Sequence, residues 1–350
     1  MTGRTEPLKL LIRQSLPHCG SRKMTAEHQN NPYRVLTTLS AWAICSTLLG
    51  GCQLLQLGTS HFVAGTLALE NDQLNSAISQ FEAAIDLNPQ MALAYSSLGD
   101  IYRKQGDLER AAVNYERAVE IDPGDFGDHF NLGMVYQTLK RVGDAIRVYL
   151  HAHTLNPKHL PTHVNLAACY LEDGNLDDAL RYAQRAADMG SASASVHAIL
   201  GAVFHRQGRY HDAVNEYKKS LEIDDNKVEV VVNLATCYLK QNELGLAESV
   251  FRRAFSMDTS RTATCERLGF CLLKRGKYQQ AVEIYNRALE IDDAYAPAYA
   301  GLGGVYMAMF ITNKRNLELR EQAVSYWQRS LDINPDQPPL RQLIDNYRPQ

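Results

Sequence analysis

Four histidines of this chain recur at a fixed spacing, and imidazole is a common metal ligand. His61, His129, His163 and His197 are separated by 68, 34 and 34 residues. If units of 34 residues stack side by side, their packed helices lie about 8–10 Å apart, whereas a metal–nitrogen bond is about 2 Å long. One ion therefore cannot join histidines of adjacent units, and we expect these rings to pack between helices.

A second group of histidines is more crowded. It consists of His151, His153, His159 and His163, with Pro157 and Pro161 between them. The irregular spacing matches no zinc-ligand pattern. We interpret this segment as a polar surface loop and expect no metal and no other cofactor.

The seven cysteines are widely spread and include no Cys-x-x-Cys pair. Cys169, Cys237 and Cys271 share one position of the 34-residue period, where other units have Leu, Ile or Val. This pattern is typical of small buried apolar side chains. Equivalent positions in different units lie too far apart for a disulfide, which needs Cα atoms within about 7 Å.

The sequence contains no motif that is typical of the common enzyme classes. No P-loop, HExxH or GxSxG sequence occurs in a fitting context, and the acidic residues scatter over positions expected to face solvent. We therefore predict a non-catalytic protein. The 36 Lys and Arg residues against 39 Asp and Glu residues, with no strongly basic stretch, also argue against electrostatic binding of nucleic acid.

An apolar run near the amino terminus precedes a candidate processing site. Residues 35–49 are uncharged, shorter than the ~20 residues of a spanning helix but typical of the 7–15 residues, roughly, of a signal-peptide core. The run leads into the sequence Leu49-Gly50-Gly51-Cys52. This sequence resembles the lipobox of bacterial lipoproteins, in which the cysteine is acylated and becomes the new amino terminus.

The lipobox resemblance implies a signal region over 1–51, lipidation of Cys52 and a tether over 52–57. We expect translation to start at Met24, because that start leaves 28 residues before the cysteine. Gln53, in place of the Asp that commonly retains such proteins in the inner membrane, implies an outer-membrane lipoprotein facing the periplasm. Two alternatives stay open: an uncleaved signal anchor in the inner membrane, and a cytoplasmic protein.

The rest of the chain repeats with a period of 34 residues. Units start at Gly58, Ala92, Phe126, Leu160, Ala194, Val228, Thr262 and Ala296. Position seven is Leu in seven units, position eight is Gly or Ala in all, and position eleven is usually aromatic. A later Ala is followed four residues on by a bulky residue, usually aromatic. The small positions permit close approach of two helices, and the rings fill the space between them.

Each unit also contains a turn. Gly106, Gly174, Gly208, Gly276, Asp72 and Asn242 stand where a helix would end in the left-handed conformation. Lys140 takes this place in the third unit, and we expect a locally different turn there. Proline ends four units, where it blocks continuation of a helix. The pattern predicts an all-α chain of eight helical hairpins.

The small, aromatic and turn positions of these units resemble those of the tetratricopeptide repeat, and the resemblance covers residues 58–336. The resemblance implies a right-handed superhelical solenoid whose concave face is lined by the first helix of every unit. The eighth unit has an insertion near 309–320, which we interpret as lengthened helices with a protruding connection. Leu340, Leu343, Ile344 and Tyr347 have the spacing of an amphipathic helix, so we expect 337–350 to form a capping helix.

Positions two, five, nine, twelve and thirteen of the first helix often contact ligands in this family. The resemblance therefore implies a mostly apolar groove with a sparse basic edge. The candidate contact residues at these positions are Phe62, Asp100, Arg103, Phe130, Met134, Val164, Val232, Glu266 and Phe270. The basic edge comprises Arg103, Lys104, His205, Arg206, Lys240 and Lys274.

Asn131, Asn165 and Asn233 share position six of their units. They resemble the asparagine ladder of the repeat arm of O-linked N-acetylglucosamine transferase, which holds extended peptide backbones. One Asn amide can both donate to and accept from a backbone amide. The alternative is that these side chains cap or solvate helices. The Lys and Asn with which some tetratricopeptide domains grip a terminal carboxylate are absent here.

The sequence thus predicts a non-catalytic interaction scaffold, anchored by lipid in the bacterial cell envelope, that binds a peptide segment or partner subunit in its groove. It resembles bacterial tetratricopeptide lipoproteins. The alternative is a substrate-recognition or regulatory subunit of an enzyme complex, such as a glycosyltransferase.

Overall fold

The computed structural model describes residues 57–189 and 193–348, and every regular element in these ranges is an α-helix. The signal region, Cys52 and the tether up to residue 56 lie outside the described residues. The helices are α1 (57–70), α2 (Leu74–Leu87), α3 (Ala92–Gln105), α4 (Leu108–Ile121), α5 (Phe126–Thr138), α6 (Val142–Leu155), α7 (Leu160–Asp173), α8 (Leu176–Asp188), α9 (Ala194–Arg206), α10 (Tyr210–Ile223), α11 (Val228–Lys240), α12 (Leu244–Met257), α13 (Thr262–Lys274), α14 (Tyr278–Ile291), α15 (Ala296–Thr312), α16 (Leu317–Ile333) and α17 (Pro338–Tyr347). None of the helices so described is long and apolar enough to span a bilayer.

The helices pair as hairpins in chain order, from α1 with α2 to α15 with α16. Each second helix also packs against the first helix of the next hairpin, which joins the hairpins into a solenoid. From α3 onward, every first helix begins at the residue where a unit was predicted to start. The predicted all-α solenoid of eight hairpins with a capping helix is confirmed.

Each hairpin is held together by a ring of the second helix that lies on a small residue of the first. A Cβ atom added to Gly133 would lie 2.5 Å from the ring of Tyr149, which is completely buried. The same contact recurs between Gly65 and Phe81, Gly99 and Tyr115, Gly201 and Tyr217, Gly269 and Tyr285, and Gly303 and Trp327. A side chain at the small position would displace the ring, so the two signature positions act as one packing unit.

The turn at Lys140 is the same as the turns at the glycines, so the expected local difference is wrong. Lys140 has a φ of 62°, in the left-handed region that Gly106 also occupies. The next backbone amide, of Arg141, donates to the carbonyl of Tyr136 at 2.9 Å, as Asp107 does to Tyr102 at 2.9 Å. Packing of the two helices and this hydrogen bond impose the conformation, although a side chain makes it less favourable.

The last hairpin is longer than the others, as predicted. Helices α15 and α16 have 17 residues each, against 13 or 14 in α2 to α14. Residues 313–316 connect them. The three additional residues extend each helix by about 4.5 Å at ~1.5 Å per residue, so the connection protrudes from that edge of the solenoid.

Helix α17 covers the apolar end of this hairpin. Leu340 and Ile344 are buried against Trp327, whereas Leu343, expected on the same face, is exposed. The side-chain amide of Gln337 donates to the carbonyl oxygens of Ser330 and Asn334 at 3.1 and 2.8 Å. These bonds fix the connection between α16 and α17.

Glu248 on α12 is buried, contrary to the expectation that acidic residues face solvent. Its carboxylate accepts from Arg252 Nε at 3.0 Å and from Lys277 Nζ at 2.9 Å, and it also pairs with Arg275. Burial opposes ionisation of this carboxyl, but the hydrogen bonds from Lys277 and Arg252 hold its pKa below the usual value. The network joins α12 to the turn between α13 and α14.

Candidate functional site

The predicted groove residues all lie on first helices of the hairpins. Phe62 is on α1; Asp100 and Arg103 are on α3; Phe130, Asn131 and Met134 are on α5; Val164 and Asn165 are on α7; Val232 and Asn233 are on α11; Glu266 and Phe270 are on α13. Phe270 is exposed and the others are half-buried. Adjacent first helices contact each other from α7 to α15, so this part of the face is continuous.

Phe130 belongs to an aromatic cluster at the junction of the third and fourth units. Its ring is stacked on Phe126 at 5.9 Å between centroids and meets His159 edge-on at 4.8 Å. His159 also contacts Phe126 edge-on, at 4.7 Å. Because His159 immediately precedes α7, the cluster fixes the two first helices to each other and leaves one half-buried aromatic surface on the groove.

The three position-six asparagines differ in their hydrogen bonds. Asn165 Nδ2 donates to the hydroxyl of Tyr149 at 3.0 Å, and Tyr149 donates in turn to Gln137 at 3.2 Å. Within the described ranges, the amides of Asn131 and Asn233 make no side-chain hydrogen bond. Asn165 therefore stabilises the third and fourth units, while the other two amides are available to a ligand.

Asp100 and Arg103 form an ion pair at one end of the groove. Arg103 Nη2 lies 3.2 Å from Asp100 Oδ1, and the hydroxyl of Tyr115 donates to the same oxygen at 2.6 Å. Burial raises the pKa of Tyr115, and the bond to Asp100 raises it further. The charges of the two predicted contact residues thus compensate each other before any ligand binds.

Asp128 is a buried carboxyl beside the groove that the sequence interpretation missed. It is 6% exposed, and Ser96 on α3 donates its hydroxyl to Oδ2. Burial raises its pKa to about 6, against the opposing effect of the Ser96 hydrogen bond. A signal was present, because this third position of the unit is small or apolar in most other copies, as at Ala94 and Val196.

At the other end of the groove, Glu266 accepts a hydrogen bond from Tyr295 at 3.2 Å. The ring of Phe270 is 41% exposed, and Lys274 Nζ lies 5.4 Å from its centroid. This end therefore presents an aromatic ring beside a cation rather than the ion pair found at Asp100.

The four recurring histidines bond to separate partners. His129 and His163 donate to the carbonyl oxygens of Pro123 and Pro157 at 3.1 and 2.8 Å. His61 and His197 donate instead to side chains of the second helix, Gln80 and Glu216, both at 2.7 Å. In the described residues, no three His, Cys, Asp or Glu side chains are placed to hold a metal ion.

The interpretation of 151–163 as a surface loop is wrong for three of its four histidines. His151 and His153 lie within α6, and His163 lies within α7 with 1% of its surface exposed. Only His159 lies in the connection between the helices. The spacing of the four histidines is irregular because two lie on one helix, one lies in the connection and one lies on the next helix.

The position-ten cysteines are buried, as predicted. Cys169, Cys237 and Cys271 are completely buried, and each is a free thiol. Burial raises the pKa of all three thiols. They are thus packing residues of the solenoid.

Comparison with solved structures shows the same fold. The APC/C hetero-tetramer Cut9-Hcn1 has a chain 17% identical to this one, matched over 85% of this chain and 55% of its own length, with a TM-score of 0.58. This chain therefore spans about half of that relative. YrrB, described as a tetratricopeptide protein with an unusual peptide-binding site, is 22% identical over 55% of this chain and 96% of its own, with a TM-score of 0.45. PilW, described as a type IV pilus biogenesis factor, is 16% identical over 57% and 93%, with a TM-score of 0.48.

No curated protein matches the sequence. A family model described as the cilia and flagella-associated protein 70 C-terminal domain matches residues 61–302. The match covers well over half of the chain and includes nearly all of the hairpins described above. The chain therefore belongs to this family of tetratricopeptide repeat proteins.

Proposed function

We propose that the chain is an interaction scaffold whose concave groove binds an extended peptide segment of a partner protein. The observation that carries the proposal is the pair of amides of Asn131 and Asn233, which have no intramolecular side-chain partner on a half-buried, largely apolar face. An Asn amide matches both hydrogen-bonding groups of a peptide bond. The aromatic surface around Phe130 lies beside Asn131 and adds apolar contact area.

A display selection from a degenerate peptide library, followed by calorimetry, tests this proposal. We expect Asn131→Ala with Asn233→Ala to weaken binding of the selected peptides about 30-fold, because the loss of one hydrogen bond of about 1 kcal/mol at each residue amounts to about 2 kcal/mol. Phe130→Glu should weaken them further, since it places a charge in the apolar part of the groove.

Two substitutions on second helices serve as matched controls. Asn286→Ala on α14 removes the same amide group at an exposed position. Val113→Glu on α4 adds the same charge as Phe130→Glu, also at an exposed position. Binding equal to wild type is expected for both. If no peptide is selected, or if the groove variants bind as the controls do while retaining their helicity, the groove is not the binding site.

The resemblance of Leu49–Cys52 to a lipobox supports a second part of the proposal, in which acylation of Cys52 tethers the solenoid to a membrane of the cell envelope. The mass of the protein isolated from membranes of its own host is the test. An acylated species that begins at Cys52, lost in a Cys52→Ser variant, is expected. An intact chain in the soluble fraction would contradict the tether and leave the groove proposal unaffected.

A further inference from the structure

Five basic residues gather on the concave face of the fifth to seventh units, and together we name them the basic concave patch. They are His205 and Arg206 on α9, Lys240 on α11, and Arg267 and Lys274 on α13. Helix α11 contacts both α9 and α13, so the patch crosses three adjacent first helices. Four of these residues belong to the basic edge predicted from the sequence. The fifth, Arg267, was not predicted and occupies position six, like the asparagines.

The cations of this patch form no ion pair with a carboxylate of the described residues. Within residues 57–189 and 193–348, Arg206, Lys240, Arg267 and Lys274 form no salt bridge to a carboxylate within 4.0 Å. Arg267 instead donates from Nη1 to the hydroxyl of Thr236 at 2.9 Å. This arrangement contrasts with the first half of the groove, where Asp100 neutralises Arg103. Positive charge therefore accumulates on a molecule whose net charge is −3.

The surroundings of His205 indicate that Lys240 and Arg267 lie near the same ring. Its Nε2 atom is buried and has no hydrogen-bond partner among the described residues. Burial lowers the pKa of His205, and the positive charges of Lys240 and Arg267 lower it further. The ring is thus uncharged at neutral pH, and the positive charge of the patch is carried by its lysine and arginine residues.

We propose that the basic concave patch docks an acidic peptide segment, with carboxylates on Lys240 and Arg267 and an apolar side chain on the exposed ring of Phe270. The inference rests on the proposed peptide-binding function and adds the chemistry of the partner. Three first helices at intervals of about 8–10 Å span roughly 16–20 Å, which an extended peptide covers with about six residues. The segment therefore combines Asp or Glu residues with one apolar residue.

Fluorescence anisotropy with a short labelled peptide tests the inference. The acidic probe has Glu residues around a central Leu, and its matched analogue has Gln in place of every Glu. We expect the acidic probe to bind at least tenfold more tightly than the Gln analogue. Its affinity should fall as ionic strength rises from about 0.01 M to about 0.15 M, because the Debye length shortens from about 30 to about 8 Å.

Charge reversal locates the site. Lys240→Glu with Arg267→Glu is expected to reduce affinity for the acidic probe at least tenfold. Lys218→Glu with Arg329→Glu is the matched control, since both residues are exposed on second helices, α10 and α16, and form no salt bridge within the described residues. This control should bind as wild type does, and unchanged circular dichroism should show that all the variants are folded.

Several results would overturn the inference. Equal binding of the acidic and Gln probes would show that charge is not the basis of recognition. An equal loss of affinity in Lys240→Glu/Arg267→Glu and in Lys218→Glu/Arg329→Glu would show that the patch is not the site. Self-association of the chain that the double variant abolishes would make a second copy the occupant. If library-selected peptides bind through Asn131 and Asn233 while the acidic probe does not bind, the groove proposal stands and the acidic chemistry fails.

Discussion

Replacing Gly201 with leucine tests the packing unit that defines each hairpin. A Cβ at Gly201 would lie 2.7 Å from two atoms of the Tyr217 ring, which is 1% exposed and has no space to move away. Overpacking of a filled core costs about 1–3 kcal/mol. Leucine regains at most about 1 kcal/mol of helix propensity relative to glycine, so a net loss of about 1 kcal/mol, and at most about 2 kcal/mol, is expected at this interface.

Hydrogen exchange measured by mass spectrometry is the appropriate assay, because solenoid stability is a sum of local and nearest-neighbour terms. A loss of about 1 to 2 kcal/mol accelerates exchange about 5- to 30-fold at amides that exchange through opening of this interface. We expect this acceleration in α9 and α10 and not in α3 or α4. Gly245→Leu is the control, since no atom lies within 4 Å of a Cβ at that exposed position.

A double-mutant cycle separates ring displacement from other effects. In a Tyr217→Ala background the ring is absent, so Gly201→Leu should cost less than in the wild-type background. Unchanged or slower exchange in Gly201→Leu, or equal costs in both backgrounds, would refute the assignment of these two positions as one packing unit.

Two further predictions concern backbone conformation and buried carboxyls. Lys140→Gly should raise the free energy of unfolding by about 1 kcal/mol in denaturant titrations, because glycine adopts a φ of 62° without the side-chain penalty. A lower free energy of unfolding would mean that the Lys140 side chain stabilises the fold by more than its strained conformation costs. The folded pKa of Asp128, about 6, lies above the unfolded value near 3.9, so its ionisation destabilises the fold as the pH rises through that interval. Asp128→Asn should therefore become more stable than wild type between about pH 4 and pH 6, by up to about 3 kcal/mol. Glu248→Gln is the control of opposite sign: its lowered pKa stabilises the fold above about pH 4.3 and that contribution is lost on acidification, so the variant should be less stable at neutral pH and approach wild type in acid. A pH-independent difference for both variants would contradict these assignments.

The hairpins could be predicted from the sequence because their packing depends on residue size at fixed spacing. Gly133 and Tyr149 are 16 positions apart in a 34-residue period, and the same pair of types recurs in most units. The same alignment of the units predicted the residue at which each first helix begins from α3 onward. The conformation of Lys140 could not be predicted, because residue type favours another conformation and only the packing of the assembled hairpin imposes the left-handed one.

The buried charges were predicted poorly for a related reason. Glu248 stands at a position that is apolar in the other units, such as Val214 and Val282, yet its charge favoured an exposed interpretation. Its three basic partners come from separate places in the chain and become visible only in the folded array. In the groove, the sequence likewise showed three equivalent asparagines, and only the structure distinguishes the bonded Asn165 from the other two.

Helix α17 has a consequence for how copies of the solenoid can associate. It occupies the surface of α15 and α16 on which the first helix of a ninth unit would pack, and it turns Arg341, Gln342 and Asp345 toward solvent. An uncovered end of a helical array presents an apolar face that another array end can match. Because mostly hydrated side chains cover this end, head-to-tail growth of a filament has little apolar surface to use there, and partners are directed to the long faces of the molecule instead.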